Sequence, residues 1–401
     1  MTTLPAQQHD TDVDVTSIPH LDPPSYLPEV GSSGPFRTVR LPSGHETVHL
    51  TRYADVQKAF VSPDLSRALA NTAGGPSFYP IVLPSTLLLT LDPPQHGRIK
   101  SLVSASFALS ALNSKQAFIQ DTVNGLLDEL ATGEVADLGE QFAVPLISRV
   151  LCDLLGVPDE AAKVFELHTP RIQKMGLGDA PNPAESVDAM VEYLSDVVGG
   201  RSPYRPDGLI AHILDARTRT PDITDEYIVG LLLLIVVAGD QSVVSVFLKG
   251  LYTLMSAPSL WHQLVSEPTL APGFVEEFLG LFPLGYIPSL PRVAVRDVEL
   301  PGGLVRAGQA VFPDGFAANR DPEVFDRPTV LDPRRGARHL GFGHGIHHCL
   351  GSALARMEMV TALQTLAERL PDLRAAGPLE DLAWHSGWLL RRPVELPVRW
   401  S

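Results

Sequence analysis

His339-Leu-Gly-Phe-Gly-His-Gly-Ile-His-His-Cys-Leu-Gly-Ser352 is the stretch on which the reading of this chain turns. A lone cysteine, Cys349, stands in a run of glycines that leads directly into a helical segment, 350–370. A thiolate at that place is stabilised by the unpaired N–H groups of a helix start. The glycines permit tight turns and close approach of backbone to a flat ligand.

Three other readings of the same run compete. His344, His347, His348 and Cys349 could suggest zinc, but their spacing is too compressed for the usual tetrahedral patterns. A dinucleotide loop needs a third glycine, and the sixth position is Ile346 or His348 depending on the start, with no βαβ unit around it. A buried structural thiol suits the only other cysteine, Cys152. One soft sulfur with no second cysteine nearby instead suits a single axial ligand to haem iron, where thiolate donation favours O–O cleavage.

The rest of the chain supplies the setting. Its 401 residues are 44% hydrophobic and 19% charged, enough to bury a large core. A net charge of −15 excludes a whole-protein basic footprint, so no nucleic-acid partner is expected. Two cysteines exclude a disulfide framework. The N-terminus has no basic start followed by an apolar run, so it does not read as a secretory signal. The longest apolar stretch lies within 227–238, shorter than the ~20 residues a membrane span needs. No membrane association and a cytoplasmic location are the expectation.

Residues 1–35 read as an extended lead-in and 36–401 as one catalytic domain, mainly α with a small β-rich lobe. A hairpin is expected over 38–51 and a short helix over 52–60. Helical periodicity dominates 95–157 and returns at 184–198 and 207–217. The strongest helix runs from 224 to about 255, with Thr224 placed to cap it and Asp225 and Glu226 at its positive end. Such a helix spans ~45 Å and is apolar almost all round, so it is expected to cross the protein centre.

Phe342-x-x-Gly345-x-x-x-Cys349-x-Gly351 resembles the haem-binding signature of the cytochrome P450 family in full. Further segments resemble the family in order: 91–96 with Arg98 and Lys100, Ala238-Gly239, 291–294, 318–322 and 353–356. The resemblance covers about residues 30–400 and is closest in texture to the soluble bacterial branch. It implies a triangular, mostly α fold with haem b (heme b, iron protoporphyrin IX) between the long central helix and the Cys loop, Cys349 as the metal ligand, and Phe342 and Gly351 against the cofactor. It also implies that His96, Lys100, Arg292 and His347 hold the haem propionates. Lys100 stands where the family usually has Arg and supplies charge without a bidentate fork. Arg98 is a second candidate, with a surface ion pair as its plainer reading, and His339 is read as a structural hydrogen-bonding residue.

Two departures stand out. The family's Ala-Gly-x-acid-Thr becomes Ala238-Gly-Asp-Gln-Ser242. Ala238 and Gly239 leave room for haem and dioxygen, Ser242 keeps a hydroxyl, and Gln241 cannot titrate. Asp240 is ~100° round the helix and cannot simply replace it. Proton delivery is therefore expected to be rewired through water, unless Gln241 and Ser242 only satisfy a helix distortion. The second departure is Gly280 in place of the Arg of Glu-x-x-Arg. Glu277 remains, and a buried carboxylate needs a cation, for which Arg335 is favoured over Arg338.

The resemblance implies an oxidase that activates dioxygen to hydroxylate or epoxidise a small natural product of secondary metabolism. The alternatives are oxidative coupling without oxygen insertion and, in another class, a catalytically silent helper of the same fold. Phe78, Tyr79, Leu234, Val237, Ile287 and Trp388 are expected to line an apolar and aromatic pocket for a cyclic or aromatic substrate. No flavin or iron–sulfur module is evident, so electrons are expected from a ferredoxin-type donor, with Arg334, Arg335 and Arg338 as a docking patch.

Overall fold

A computed structural model describes residues 12–21, 36–78, 82–131, 133–173, 183–220, 222–284, 290–336, 338–385 and 390–400. Tyr79, Ile287 and Trp388 lie outside the described residues.

The helical body is built from α1 (Gln95–Ser101), α2 (Gln116–Leu130), α3 (Val144–Leu155), α4 (Ala161–Gln173), α5 (Ala184–Val198), α6 (Asp225–Ser256), α7 (Ala271–Leu281) and α8 (Ser352–Arg369). Helix α6 is the axis of the body, and α3, α4, α5, α7 and α8 all pack on it. It is 32 residues long and carries a stretch apolar enough to cross a membrane. The expected shortfall in apolar length therefore does not hold. Its apolar surface is covered by other helices, as in the core helix of a globular domain. Thr224 occupies the N-cap position with extended backbone, but its side chain makes no capping bond.

Helix α4 falls where no helix was expected after Val157. Pro170 inside it reads as a breaker, yet the helix continues through it. Between α2 and α3 the helical run is also interrupted by a strand, Val135–Asp137, which pairs with Pro397–Arg399.

The β lobe is a five-stranded mixed sheet of β1 (Arg37–Arg40), β2 (Glu46–Leu50), β3 (Leu65–Ser66), β4 (Arg292–Ala294) and β5 (Ala310–Pro313), in the order β1-β2-β5-β4-β3. Strands β2 and β5 run parallel with His49 opposite Phe312, and β4 runs antiparallel to β5 with Arg292 opposite Val311. This register carries Arg292 into the buried side of the lobe. The described part of the lead-in is docked: Val13–Asp14 pairs with Val330–Leu331, and Arg327 reaches Asp12 at 2.6 Å.

Candidate active site: the Cys loop, a basic cluster and an open stripe on the central helix

Gly343 and Gly345 take left-handed φ values of 69° and 73°, which glycine adopts without steric cost. A Cβ on Gly345 would sit 2.8 Å from the Phe60 carbonyl oxygen. One on Gly341 would sit 2.2 Å from that of Leu279. These close approaches are to neighbouring backbone, so the loop is shaped by the protein itself. The Cys349 N–H donates to the Phe342 carbonyl at 2.9 Å and closes it. Cys349 is accessible at its surface, yet burial raises its pKa, opposed by the Gly351 N–H and the charges of Lys100 and Arg356. A thiol that is accessible and hemmed in at once faces a concavity.

Basic groups gather beside this loop from four segments: Arg67, His96 and Lys100 of α1, Arg292 of β4, and His347. The His96 and His347 rings meet edge-on at 4.4 Å. Burial first, then the neighbouring cations, drives His347 down to about 2 and His96 to about 4. Burial also lowers Arg292 to about 10 and Arg67 to about 9. Asp92 is the acid that opposes the shifts of His96, Arg67 and Arg292, and it already accepts from Ser66 Oγ at 2.5 Å. Arg292 donates to the Ala59 carbonyl at 2.9 Å, but its Nε and Nη2 are buried without a partner, as is Nε of Arg67. So many buried donors with so little negative charge call for an anionic ligand.

The third feature lies on α6. From Ile228 to Met255 its residues are buried except for Leu234, Ile235, Val237, Ala238, Gly239 and Ser242. Leu234, Ala238 and Ser242 are four apart and mark one face, opened in mid-helix.

The family described as Cytochrome P450 has a sequence model that matches residues 188–370. Mycinamicin IV hydroxylase/epoxidase of Micromonospora griseorubida is 36% identical over 374 residues, 93% of this chain and 94% of that one. Nocardicin C N-oxygenase of Nocardia uniformis subsp. tsuyamanensis is 36% identical over 97% of this chain and 100% of its own. The solved LnmA cytochrome P450 hydroxylase from the leinamycin pathway of Streptomyces atroolivaceus superposes with a TM-score of 0.84 at 36% identity, covering 93% of this chain and 95% of that one. The chain is a cytochrome P450.

The residues present in this P450 fit a haem-thiolate cofactor. The basic cluster, with its orphaned Arg292 and Arg67 donors, suits two propionates, and Cys349 offers one accessible sulfur. Arg67 was not anticipated; nothing in its local sequence distinguishes it from a surface arginine. Lys100 donates to the Ile346 and His348 carbonyls at 2.6 and 3.4 Å, which commits it in part to tying α1 to the Cys loop. Arg98 pairs with Asp222 at the surface. Among the pocket residues expected from sequence, Leu234 and Val237 lie at the open stripe. Phe78 is half-buried and packs edge-on against Phe312 of β5 at 4.8 Å.

At the first departure, Gln241 is buried and turned away from the open face. Its Oε1 accepts from Arg392 at 3.1 Å and its Nε2 donates to Asp240 at 3.1 Å. Asp240 also accepts from Thr169 of α4, and burial pushes its pKa up to about 6. Ser242 donates to the Ala238 carbonyl one turn back. Its hydroxyl therefore satisfies α6 itself in this arrangement.

At the second departure, Arg335 meets the lone carboxylate. Its Nε lies 3.1 and 3.3 Å from the Glu277 oxygens, and the Asp332 N–H adds a bond at 2.9 Å. Burial still carries Glu277 up to about 7, against the pull of both donors. Gly280 leaves room for a second lock. A Cβ there would crowd the His339 Cβ at 3.1 Å. The Gly341 N–H donates to His339 Nδ1 at 3.0 Å, so Nε2 carries the hydrogen and donates to Glu276 at 2.8 Å. Arg356 of α8 binds the same carboxylate at 2.5 and 2.9 Å and lies 4.7 Å over the Phe342 ring. Burial alone would raise Glu276, but these two partners hold it down at about 2. The chain thus ties α7 to α8 and to the Cys loop without an arginine at 280.

The arginine docking patch does not survive in full. Arg335 turns inward onto Glu277, and Arg334 is paired with Glu267 at 2.6 Å. Of the three, Arg338 keeps an exposed position with no ion pair among the described residues.

Proposed function

We propose that this P450 monooxygenase hydroxylates or epoxidises an apolar cyclic or aromatic natural product, using haem b and electrons from a ferredoxin-type carrier in the cytoplasm. Haem held by a thiolate would supply the chemistry of dioxygen activation and O–O cleavage. Cys349 would provide the thiolate, Arg67 and Arg292 the counter-charges for the propionates, and His96 and His347 neutral hydrogen-bond donors to them, with Lys100 shared between that edge and the loop. The small side chains at Ala238 and Gly239 would leave room on the open face of α6, and Leu234 and Val237 would give that wall its apolar character. The observation that carries the reading is the accessible Cys349 beside a buried basic cluster that has too little negative charge of its own. The relatives named as a hydroxylase/epoxidase and an N-oxygenase point to oxygen insertion, and neither coupling nor a silent helper is favoured.

Two measurements test this reading. The reduced holoprotein should give a thiolate-type carbon-monoxide difference spectrum. A panel of macrolide and aromatic natural products should include members that shift the haem spectrum on binding. A panel of polar acyclic compounds that bind more tightly than any of these would overturn the substrate class.

Restoring the family pair through Gln241→Glu with Ser242→Thr should bring less than a tenfold gain in coupled turnover, on the order of 1.4 kcal/mol in the barrier. The reason is local: a carboxylate at 241 would be captured by Arg392, which already holds the Gln241 oxygen. A larger gain on the native substrate would show that the natural pair is merely a weaker version of the family's.

A further inference from the structure

Lys249 is a basic residue inside the core of α6 that the site described above does not use. It is 2% exposed. Its Nζ donates to the Pro283 carbonyl, and no carboxylate pairs with it among the described residues. It lies seven residues, two turns, beyond Ser242 and so continues the same side of the helix, ~10 Å further along. Ser245 lies between them, fully buried, with its Oγ 3.3 Å from the Leu284 carbonyl and 3.0 Å from that of Arg391. The Arg391 N–H donates to the Leu284 carbonyl at 3.1 Å. Ser245 and Lys249 thus hold two chain segments against α6: 283–284, which follows α7, and 390–391.

We propose that Lys249 is a positioning residue whose buried amine pins the Pro283–Leu284 segment, and through Leu284 the Arg391 segment, to the side of α6 that carries Ser242. The physical case begins with the count of partners. A neutral amine at this place satisfies the Pro283 carbonyl that faces it. An ammonium would bring three donors and a full charge to a site that, among the described residues, offers it the Pro283 carbonyl and no carboxylate. Of the charged groups around it, Arg391 from the adjoining segment is the one that acts on it, and as a like charge. Burial first, then Arg391, lowers the amine from 10.5 to about 7. The folded protein therefore binds fewer protons than the unfolded chain between pH 7 and 10.5. Stability rises with pH across that window, and the penalty is complete below pH 7. Acidification through neutrality should loosen the two segments before it unfolds the protein. The inference rests on the proposed function only in treating this side of α6 as the wall of the substrate pocket.

Hydrogen exchange read by mass spectrometry on the holoprotein tests the pin without needing substrate or turnover. Peptides covering 281–284 and 390–396 should lose protection about tenfold, after correction for intrinsic rates, on going from pH 8 to pH 6. In Lys249→Gln, which keeps a donor and cannot titrate, the step should vanish while α2 and α5 stay unchanged. Lys249→Met should raise the thermal midpoint most at pH 6, and the gain should shrink towards pH 10. A wild-type profile flat from pH 6 to 8, or the same step in Lys249→Gln, would overturn the proposal. These outcomes do not depend on the carbon-monoxide spectrum, so failure of the haem reading would be seen separately.

Discussion

Cys349→Ser should fold, and it should lose the thiolate-type carbon-monoxide spectrum and all dioxygen-dependent activity. The loop around position 349 is held by features that do not involve sulfur: the Cys349 N–H on the Phe342 carbonyl, the left-handed Gly343 and Gly345, and Lys100 on the Ile346 and His348 carbonyls. Serine keeps the size and can still accept from the Gly351 N–H that bonds the native sulfur. What it cannot supply is a soft, readily ionised donor to iron. The loss should therefore be chemical, with little change in urea midpoint. A serine variant with an unchanged thiolate spectrum would remove Cys349 from the site.

The largest structural loss is expected from Arg335→Ala, about 3–5 kcal/mol, the range for breaking a buried ion pair from one side. Two things fail together. Glu277 keeps only the Asp332 N–H, and its desolvated carboxyl, already raised to about 7, must climb further and take up a proton. The guanidinium also serves carbonyls of the preceding turn, Val330 at 2.6 Å and Arg327 at 3.2 Å, with Asp326 as a third, and these lose their donors. The conservative variant Arg335→Lys would restore charge but not the planar fork, so it should recover only part of the loss.

The pH dependence carries a definite sign. With a folded pKa above the ordinary 4.5, Glu277 favours the folded state at low pH, and its contribution falls as pH rises from 4.5 to 7. Urea unfolding and haem retention at pH 7 measure the main effect. A change under ~0.5 kcal/mol, the size of an ordinary surface substitution, would mean that Glu277 needs no cation.

Much of this site was legible in the one-dimensional chain because its signals are local. The glycines, the single cysteine and the start of the helix that follows occupy one continuous stretch, 339–352, and α6 announces itself by an uninterrupted apolar run. Arg335 was legible for a different reason: a buried Glu without its usual partner obliges a cation to be found, and three arginines lie in one short stretch. Helix α4 was not legible because the helical run reads as ending at Val157, whereas 161–173 is a helix packed on α3, α5 and α6, a tertiary fact that the local sequence does not carry. The compensation at Gly280 was hidden too, since His339, Glu276 and Arg356 are far apart in the chain and read singly as ordinary polar residues.

By itself the sequence singled out Cys349 as the proposed iron ligand and determined the α-helical class and the position of the central helix, all of which follow from residue type and spacing within one element. Only the tertiary structure decided which charges are buried and whom they face. Arg67, His96, Arg292 and His347 come from four separate segments, and their lowered pKa values arise from desolvation and mutual repulsion, neither of which exists in the unfolded chain. The same holds for Gln241, turned onto Arg392, and for Lys249, whose amine is lowered by the burial and the neighbouring Arg391 that folding brings to it. Burial is a property of packing between distant segments, so the electrostatics of this site could be stated only once those segments had met.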